Sequence, residues 1–294
     1  MKPTSSQPAA MKTTTNKNEG RIRTLAAQLP GETAVLDAQI LLVHYSGHNR
    51  AWLLSHSEVG LTTAQEKGLE TAIHKLQNGV PLPYVLEHWE FFGLDFYITP
   101  DVLIPRPETE LLVETALAYA REQPRADFRF LDIGTGSGII PISLAIHVPQ
   151  AKLFAIDISA AALKIAHLNA ERHGVKERIH FMEANLLPSD LQSQYFDIIT
   201  ANLPYIPSEM LKHLEIFGKE PSLALDGGTD GLDLIRKLMT KLADAKITFN
   251  MLLLEIEQSQ GPTVSAMARE TFPSANVRIQ RDLAGFDRLA IITT

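Results

Sequence analysis

From Phe128 onwards the chain alternates short apolar runs with helical stretches, and that alternation leaves few folds open. Phe128–Ile133 reads as a strand, Ile139–Ile146 as a helix and Lys152–Ile156 as a second strand. Ser159 can cap a helix that runs to His173, because its side-chain oxygen can accept a free N–H of the first turn. Gly174 can close that helix in a left-handed conformation. Ile179–Met182, Phe196–Ala201 and Asn250–Ile256 read as three further strands, and Val277–Arg281 and Leu289–Thr293 can complete the sheet. Strands separated by helices imply right-handed crossovers. The expected fold is therefore α/β, a doubly wound, mainly parallel seven-stranded sheet. Ligands of such sheets sit beyond the carboxyl ends of the strands, near the point where strand order reverses. Those ends are where chemistry is to be sought.

The first end reads Asp132-Ile133-Gly134-Thr135-Gly136-Ser137-Gly138. Glycines let the backbone turn sharply and approach a ligand with no Cβ in the way. A tight strand-to-helix turn is the plain alternative. The spacing is G-x-G-x-G, which differs from the dinucleotide fingerprint and from the phosphate loop with its lysine. The second end carries Asp157, about 20 residues beyond the loop, a distance suited to hydrogen bonds with ribose hydroxyls. The plain alternative for Asp157 is a helix-capping acid. The third end carries Asn185, which could meet an adenine edge, and Leu186, which could pack on its face. Together the three ends resemble the class I S-adenosylmethionine-dependent methyltransferases. That resemblance implies a cofactor site made of Gly134, Thr135, Gly136, Ser137, Gly138, Asp157, Asn185 and Leu186, with Asn202 beside it. Asp132 is then expected near the cationic methionyl end of S-adenosyl-L-methionine.

The fourth end reads Asn202-Leu203-Pro204-Tyr205. An amide or aromatic amine nitrogen is a poor nucleophile, because its lone pair is delocalised. A side-chain oxygen and a backbone carbonyl that accept its two N–H hydrogens would hold it in line with a methyl donor and favour a pyramidal geometry. Asn202 offers the side-chain oxygen and Leu203 the carbonyl. Pro204 stiffens the turn and Tyr205 can wall a planar substrate group. Asn202 is the expected catalytic residue, and Asn202 to Tyr205 the expected substrate site. The segment resembles the [N/D/S]-P-P-[Y/F/W] motif of amino- and amide-nitrogen methyltransferases, with Leu203 in place of the first proline. It also resembles the turn of ribosomal RNA adenine dimethyltransferases. The turn alone leaves both substrates open.

Residues before the sheet read differently. Met1 to Gly20 is polar and is expected to be a disordered tail. Residues 21–83 read as a small helical domain: Leu36, Ile40 and Val43 repeat on one helix face, as do Leu69, Ile73 and Leu76. Thr63 and Glu66 form a capping-box pattern, and Asn78-Gly79, Pro81 and Pro83 stop that helix. Aromatic residues around Gly93 predict a β-hairpin within residues 84–107, taken as a linker, and the sheet domain is expected over 108–294. The 34 acidic and 27 basic side chains give a net charge of −7, which weighs against a general nucleic-acid binder. Cysteine is absent, so thiol chemistry and disulfides are excluded and a reducing cytoplasm is the natural compartment. No apolar run approaches the roughly 20 residues of a membrane span. The ten histidines are scattered with no H-E-x-x-H spacing, so no metal site is expected.

Several separated segments resemble one family in order. Ile104-Pro-Arg-Pro-Glu-Thr-Glu110, Glu220-Pro221 with Ala224-Leu225, Asp230-Gly-Leu-Asp233, Leu254-Glu255-Ile256 with Gln260, and Asp282 to Arg288 all match the peptide chain release factor glutamine methyltransferases. Glu257 departs from the glycine common there. The resemblance implies N5-methylation of the glutamine in the Gly-Gly-Gln motif of class 1 release factors. It implies that the helical domain helps to dock that substrate, and that Arg106 and Glu108 brace the rim of the site. A ribosomal RNA methyltransferase would be expected to have a basic surface and a C-terminal helical domain. A non-catalytic scaffold would not need an intact loop, Asp157 and Asn202.

Overall fold

Residues 17–56, 60–123 and 127–294 are described by a computed structural model. The chain divides into two units, with the boundary in the sequence between Leu86 and Glu87.

The smaller unit is helical: α1 Lys17–Ala26, α2 Ala34–Ser46, α3 Arg50–Ser55, α4 Thr63–Gln77 and α5 Leu82–Leu86. The expected tail lies outside the described residues up to position 16, but Lys17 to Gly20 are the first turn of α1. The buried Asn18 side chain holds that turn by donating to the carbonyls of Leu53 (2.6 Å) and His56 (3.2 Å). The α4 stripe behaves as expected, with Leu69, Ile73 and Leu76 buried. The α2 stripe does not: Leu36 is 54% exposed, and the buried face is Ala38, Leu41 and Leu42. Three apolar residues in a helix that is apolar nearly all round do not single out a face. The capping box is real but one residue earlier, formed by Thr62 and Gln65. α4 stops at Asn78, just before Gly79 and the prolines, as expected, and a further short helix follows. Pro83 lies in the first turn of α5, where a missing N–H costs nothing, and α5 carries Tyr84 to Leu86.

The larger unit opens with the expected hairpin, β1 His88–Phe91 and β2 Leu94–Tyr97, around Phe92 and Gly93 at positive φ. It is no linker. Phe91 and Phe96 are buried, and the backbone of Tyr97 exchanges two hydrogen bonds with the buried Asn169 side chain. A short 3-10 turn, Pro107–Thr109, leads into α6 Glu110–Glu122. There follow β3 Arg129–Ile133, α7 Ile139–His147, β4 Lys152–Asp157, α8 Ala160–Arg172, β5 Ile179–Glu183 and β6 Tyr195–Ala201. The remainder is α9 Ser208–Leu211, α10 Asp233–Asp244, β7 Thr248–Glu255, α11 Gly261–Thr271, β8 Asn276–Arg281 and β9 Asp287–Thr293.

The seven strands run in the order β5-β4-β3-β6-β7-β9-β8. The first five in that order are parallel, and β9 is antiparallel to both its neighbours. Strand order reverses between β3 and β6, so the ends of these two strands face the crevice that binds ligands in such sheets. One side of the sheet packs Leu131, Ile133, Ile199, Leu252 and Leu254 against Ile235, Leu238 and Leu242 of α10 and Val264 and Ala268 of α11. Among the described residues no helix is long and apolar enough to cross a membrane.

Candidate active site

Two cavities open at the β3–β6 switch point. The first, about 380 Å³, is walled by Ile133 to Ser137, Asp157, Asn185, Leu186 and the turn Asn202 to Pro204. The second, about 320 Å³, is lined by Arg106, Glu108, Tyr205, Ile216 and Arg288. Asn202, Leu203 and Pro204 line both. The turn is thus a shared wall between them.

The loop after β3 is shaped by its neighbours. The N–H groups of Gly134 and Thr135 donate to the carbonyl of Ile156, at 2.8 and 2.9 Å. The Asp157 carboxylate accepts from Gly136 N through Oδ2 and from Ser159 N through Oδ1, each at 2.8 Å. Each oxygen keeps a second lone pair. Burial raises the Asp157 pKa, and these backbone N–H groups work against that rise. Gly134, at φ 77°, has no room for a side chain: a Cβ there would stand 2.9 Å from Leu203 Cδ2. Gly138 does not line the cavity. It caps α7 at φ 83°, and a Cβ would press on Ile142 and Ala166, so its smallness serves helix packing.

Asp132 is also off the cavity wall. It is buried beneath the loop, where Oδ1 accepts from the Thr200 hydroxyl at 2.7 Å. The Thr135 hydroxyl lies beside it, yet neither that hydroxyl nor Asp132 Oδ2 has a partner in hydrogen-bond geometry. Burial pushes the Asp132 carboxyl up to about 6, against the Thr200 hydroxyl, which favours the charged form. At the third strand end Asn185 is exposed and Leu186 is buried. Leu186 adopts φ 69°, spanned by a bond from Leu187 N to the Asn185 carbonyl. A leucine in such a turn is strained, and strain of this kind clusters at ligand sites.

Asn202 Nδ2 donates to the Thr109 hydroxyl at 3.0 Å, so its Oδ1 is left for another donor. Leu203 is buried against Gly134. The Tyr205 hydroxyl donates to Glu255 Oε1 at 3.2 Å. Burial and then the nearby Glu255 carboxylate raise the Tyr205 pKa well above the usual phenol range, so the phenol keeps its proton. Burial also pushes Glu255 up to about 7. The Tyr205 carbonyl accepts from Gln260 Nε2 at 3.0 Å.

Distant motifs converge here. Glu220, buried, accepts from Ile104 N (3.1 Å) and from Arg106 (2.5 Å). Arg106 is thereby tied down while lining both cavities. Sequence reasoning gave Thr200 and Asn169 no role, and it met Thr109 only inside the segment Ile104 to Glu110. It noted Glu255 and Gln260 only as points of resemblance. Nothing in local pattern marks a buried threonine as the partner of an asparagine far along the chain.

A fold with this switch-point site is that of a methyltransferase. Residues 124–239 match a methyltransferase-domain family model, and residues 22–86 match the PrmC N-terminal domain. A release factor glutamine methyltransferase of Moorella thermoacetica is 40% identical over 254 residues, covering 86% of this chain and 89% of its own length. That of Bordetella pertussis is 39% identical over 260 residues, covering 87% and 93%. The chain belongs to the release factor glutamine methyltransferase family. Among solved structures, the N-terminal domain of human METTL16 in complex with SAH aligns with TM-score 0.51 at 16% identity, covering 96% of this chain and 97% of that one. The hMettl16 catalytic domain with an RNA hairpin reaches TM-score 0.56 at 14% identity, covering 81% and 84%. These two share the fold.

Proposed function

We propose that the protein methylates the side-chain nitrogen, N5, of the glutamine in the Gly-Gly-Gln motif of class 1 release factors, using S-adenosylmethionine. The observation that carries this reading is the wall Asn202 to Pro204 common to two cavities, one for a donor and one for an acceptor.

The donor cavity fits the cofactor. The loop brings its backbone to the cavity wall, with Gly134 packed so closely on Leu203 that a Cβ would displace it, Asp157 keeps lone pairs for ribose hydroxyls, and Asn185 and Leu186 border the place for adenine. The human METTL16 structure named above carries SAH in a related fold. When bound, the cofactor supplies a methyl group on a sulfonium, which is already a strong electrophile. The protein's part is placement. Asn202 Oδ1 accepts one N–H of the glutamine amide and the Leu203 carbonyl accepts the other. Each fixes the nitrogen and turns its lone pair toward the donor cavity. Tyr205, from the second cavity, walls the planar amide. The methyl group would pass to the amide nitrogen as the sulfonium becomes a neutral thioether, and the surplus proton of that nitrogen would pass to water. The helical unit serves to dock the release factor, and the reaction belongs to the cytoplasm.

The test is mass spectrometry of a class 1 release factor after incubation with the protein and isotopically labelled S-adenosylmethionine. The expected result is one added methyl group on the Gly-Gly-Gln glutamine. Asn202→Ala should cut the rate roughly 100- to 1,000-fold, as for loss of an oriented polar group in a transition state, while cofactor binding falls only slightly. A methyl group on another residue, or on ribosomal RNA adenine, would overturn the reading.

A further inference from the structure

Asn202 can accept from a substrate amide only if its oxygen, not its nitrogen, faces the acceptor cavity. An Asn side chain has both ends, and something must choose between them. The choice is made behind the site. Asn202 Nδ2 donates to Thr109 Oγ1 at 3.0 Å, and Thr109 is fully buried in the turn before α6. The Thr109 hydroxyl therefore needs an acceptor of its own for its hydrogen. The group it faces is Glu255, the buried last residue of β7. Oε1 of the same carboxylate accepts from the Tyr205 hydroxyl at 3.2 Å, and Oε2 has no partner in hydrogen-bond geometry. One buried carboxylate thus stands behind both polar side chains of the turn.

We propose that Glu255 is a positioning residue that sets the polarity of the amide clamp. This rests on the glutamine-amide reading above. An ionised carboxylate only accepts hydrogen bonds. Thr109 must then donate to it, its oxygen can only accept from Asn202, and Asn202 Oδ1 is turned to the substrate. Tyr205 is held by the same rule. A protonated Glu255 has to donate. If it donates to Thr109, the hydroxyl hydrogen turns to Asn202, the amide turns over, and an NH₂ group faces the substrate N–H groups. The surroundings bear on its charge from every side. Arg288 on β9 favours the carboxylate, while burial and Glu108 oppose it. Arg106 acts on the Tyr205 side. The balance leaves Glu255 titrating near neutrality, at about 7.

The experiment measures single-turnover methylation of a full-length class 1 release factor from pH 5.5 to 9 by the intact wild type and by Glu255→Gln. The wild-type rate at saturating substrate should rise with pH through about 7. Glu255→Gln, which keeps the shape but can donate, should be roughly 10- to 100-fold slower at pH 8, the scale of a small misplacement of reacting groups. It should also lose the step near pH 7, with S-adenosylmethionine affinity unchanged within about twofold. A merely structural role would lower the rate without removing the step. A folded Glu255→Gln protein with the wild-type rate, or with the step retained, overturns the inference. If that variant does not fold, Thr109→Val and Thr109→Ser replace it. Valine should reproduce the loss of rate and step and serine should restore both; a wild-type rate in Thr109→Val overturns the inference. A wild type that transfers no methyl group to the release factor overturns the functional reading, and this inference with it. An active wild type with no step near pH 7 overturns this inference alone.

Discussion

Replacing Asp132 by Asn should make the protein more stable at pH 8 and less dependent on pH. The Asp132 carboxyl is buried and titrates at about 6 instead of 3.8. A folded-state pKa above the unfolded one means that the folded protein holds the proton more tightly. The stability this contributes is complete below pH 3.8 and is lost as pH rises through 6. A shift of that size corresponds to about 3 kcal/mol at 1.36 kcal/mol per pKa unit. The substituted amide would carry no charge. Its nitrogen would occupy the place of Oδ2 beside the Thr135 hydroxyl, and neither of those atoms has a partner now. Its oxygen would keep the Thr200 bond. The variant should thus gain up to about 3 kcal/mol at pH 8, or roughly 6–12 °C in Tm for a domain of this size, and almost nothing at pH 4. Exposed acids with lowered pKa values, such as Asp226 and Asp230, change stability in the opposite direction in both proteins and cancel in the difference. Thermal melts of both proteins from pH 4 to 8 give that difference curve. Parallel curves, or a variant less stable than wild type at pH 8, would refute the reasoning.

Leu203→Pro should restore the usual motif proline and keep the carbonyl, so the rate should stay within a few-fold. Because Leu203 is buried against Gly134, the variant should lose roughly 1–3 kcal/mol in chemical denaturation. Gly134→Ala should weaken cofactor affinity, measured by calorimetry, because the loop needs φ 77° and a Cβ would displace Leu203. Glu220→Ala should cost roughly 2–3 kcal/mol, less than a fully buried pair because Arg106 is partly exposed, and should raise KM for the release factor more than that for the cofactor.

What the sequence made legible follows from locality. Each strand of the sheet is a short apolar run between helical patterns, and its period is visible over a few residues. The residues at the strand ends could be placed because topology alone puts ligands there, and Asn202, Asp157 and Leu186 all reach the cavities. Pairings across long separations were not legible. Thr109 meets Asn202 across 93 residues, and Glu220 meets Ile104 across 116. Nothing in the spacing of Asp132 says that it lies behind the loop and not on the cavity wall, since Asp at that position suits either. The α2 stripe failed for a related reason. Which side of an apolar helix is buried depends on neighbours that its own pattern does not name.

The same pairings account for the feature that most departs from the usual motif. With Leu203 in place of proline, the turn after β6 has lost one locked backbone angle, yet its chemistry needs a fixed carbonyl and a fixed amide. The rigidity comes from outside the turn. Leu203 is pinned on Gly134, and the Tyr205 carbonyl is held by Gln260 and backed by Gly231, where a Cβ would overlap it. Asn202 is held by Thr109. Thr109 belongs to the segment Ile104 to Glu110, whose other residues also end on separate elements. Ile104 and Arg106 bind Glu220, and Glu110 accepts from Phe92 N in the hairpin at 2.8 Å. One short segment therefore ties the hairpin, the turn and the loop after α9 into a single brace. Its two prolines make sense in that light. They stiffen a strap whose task is to hold other groups still, and a strap of this kind lets a leucine stand where a proline otherwise would.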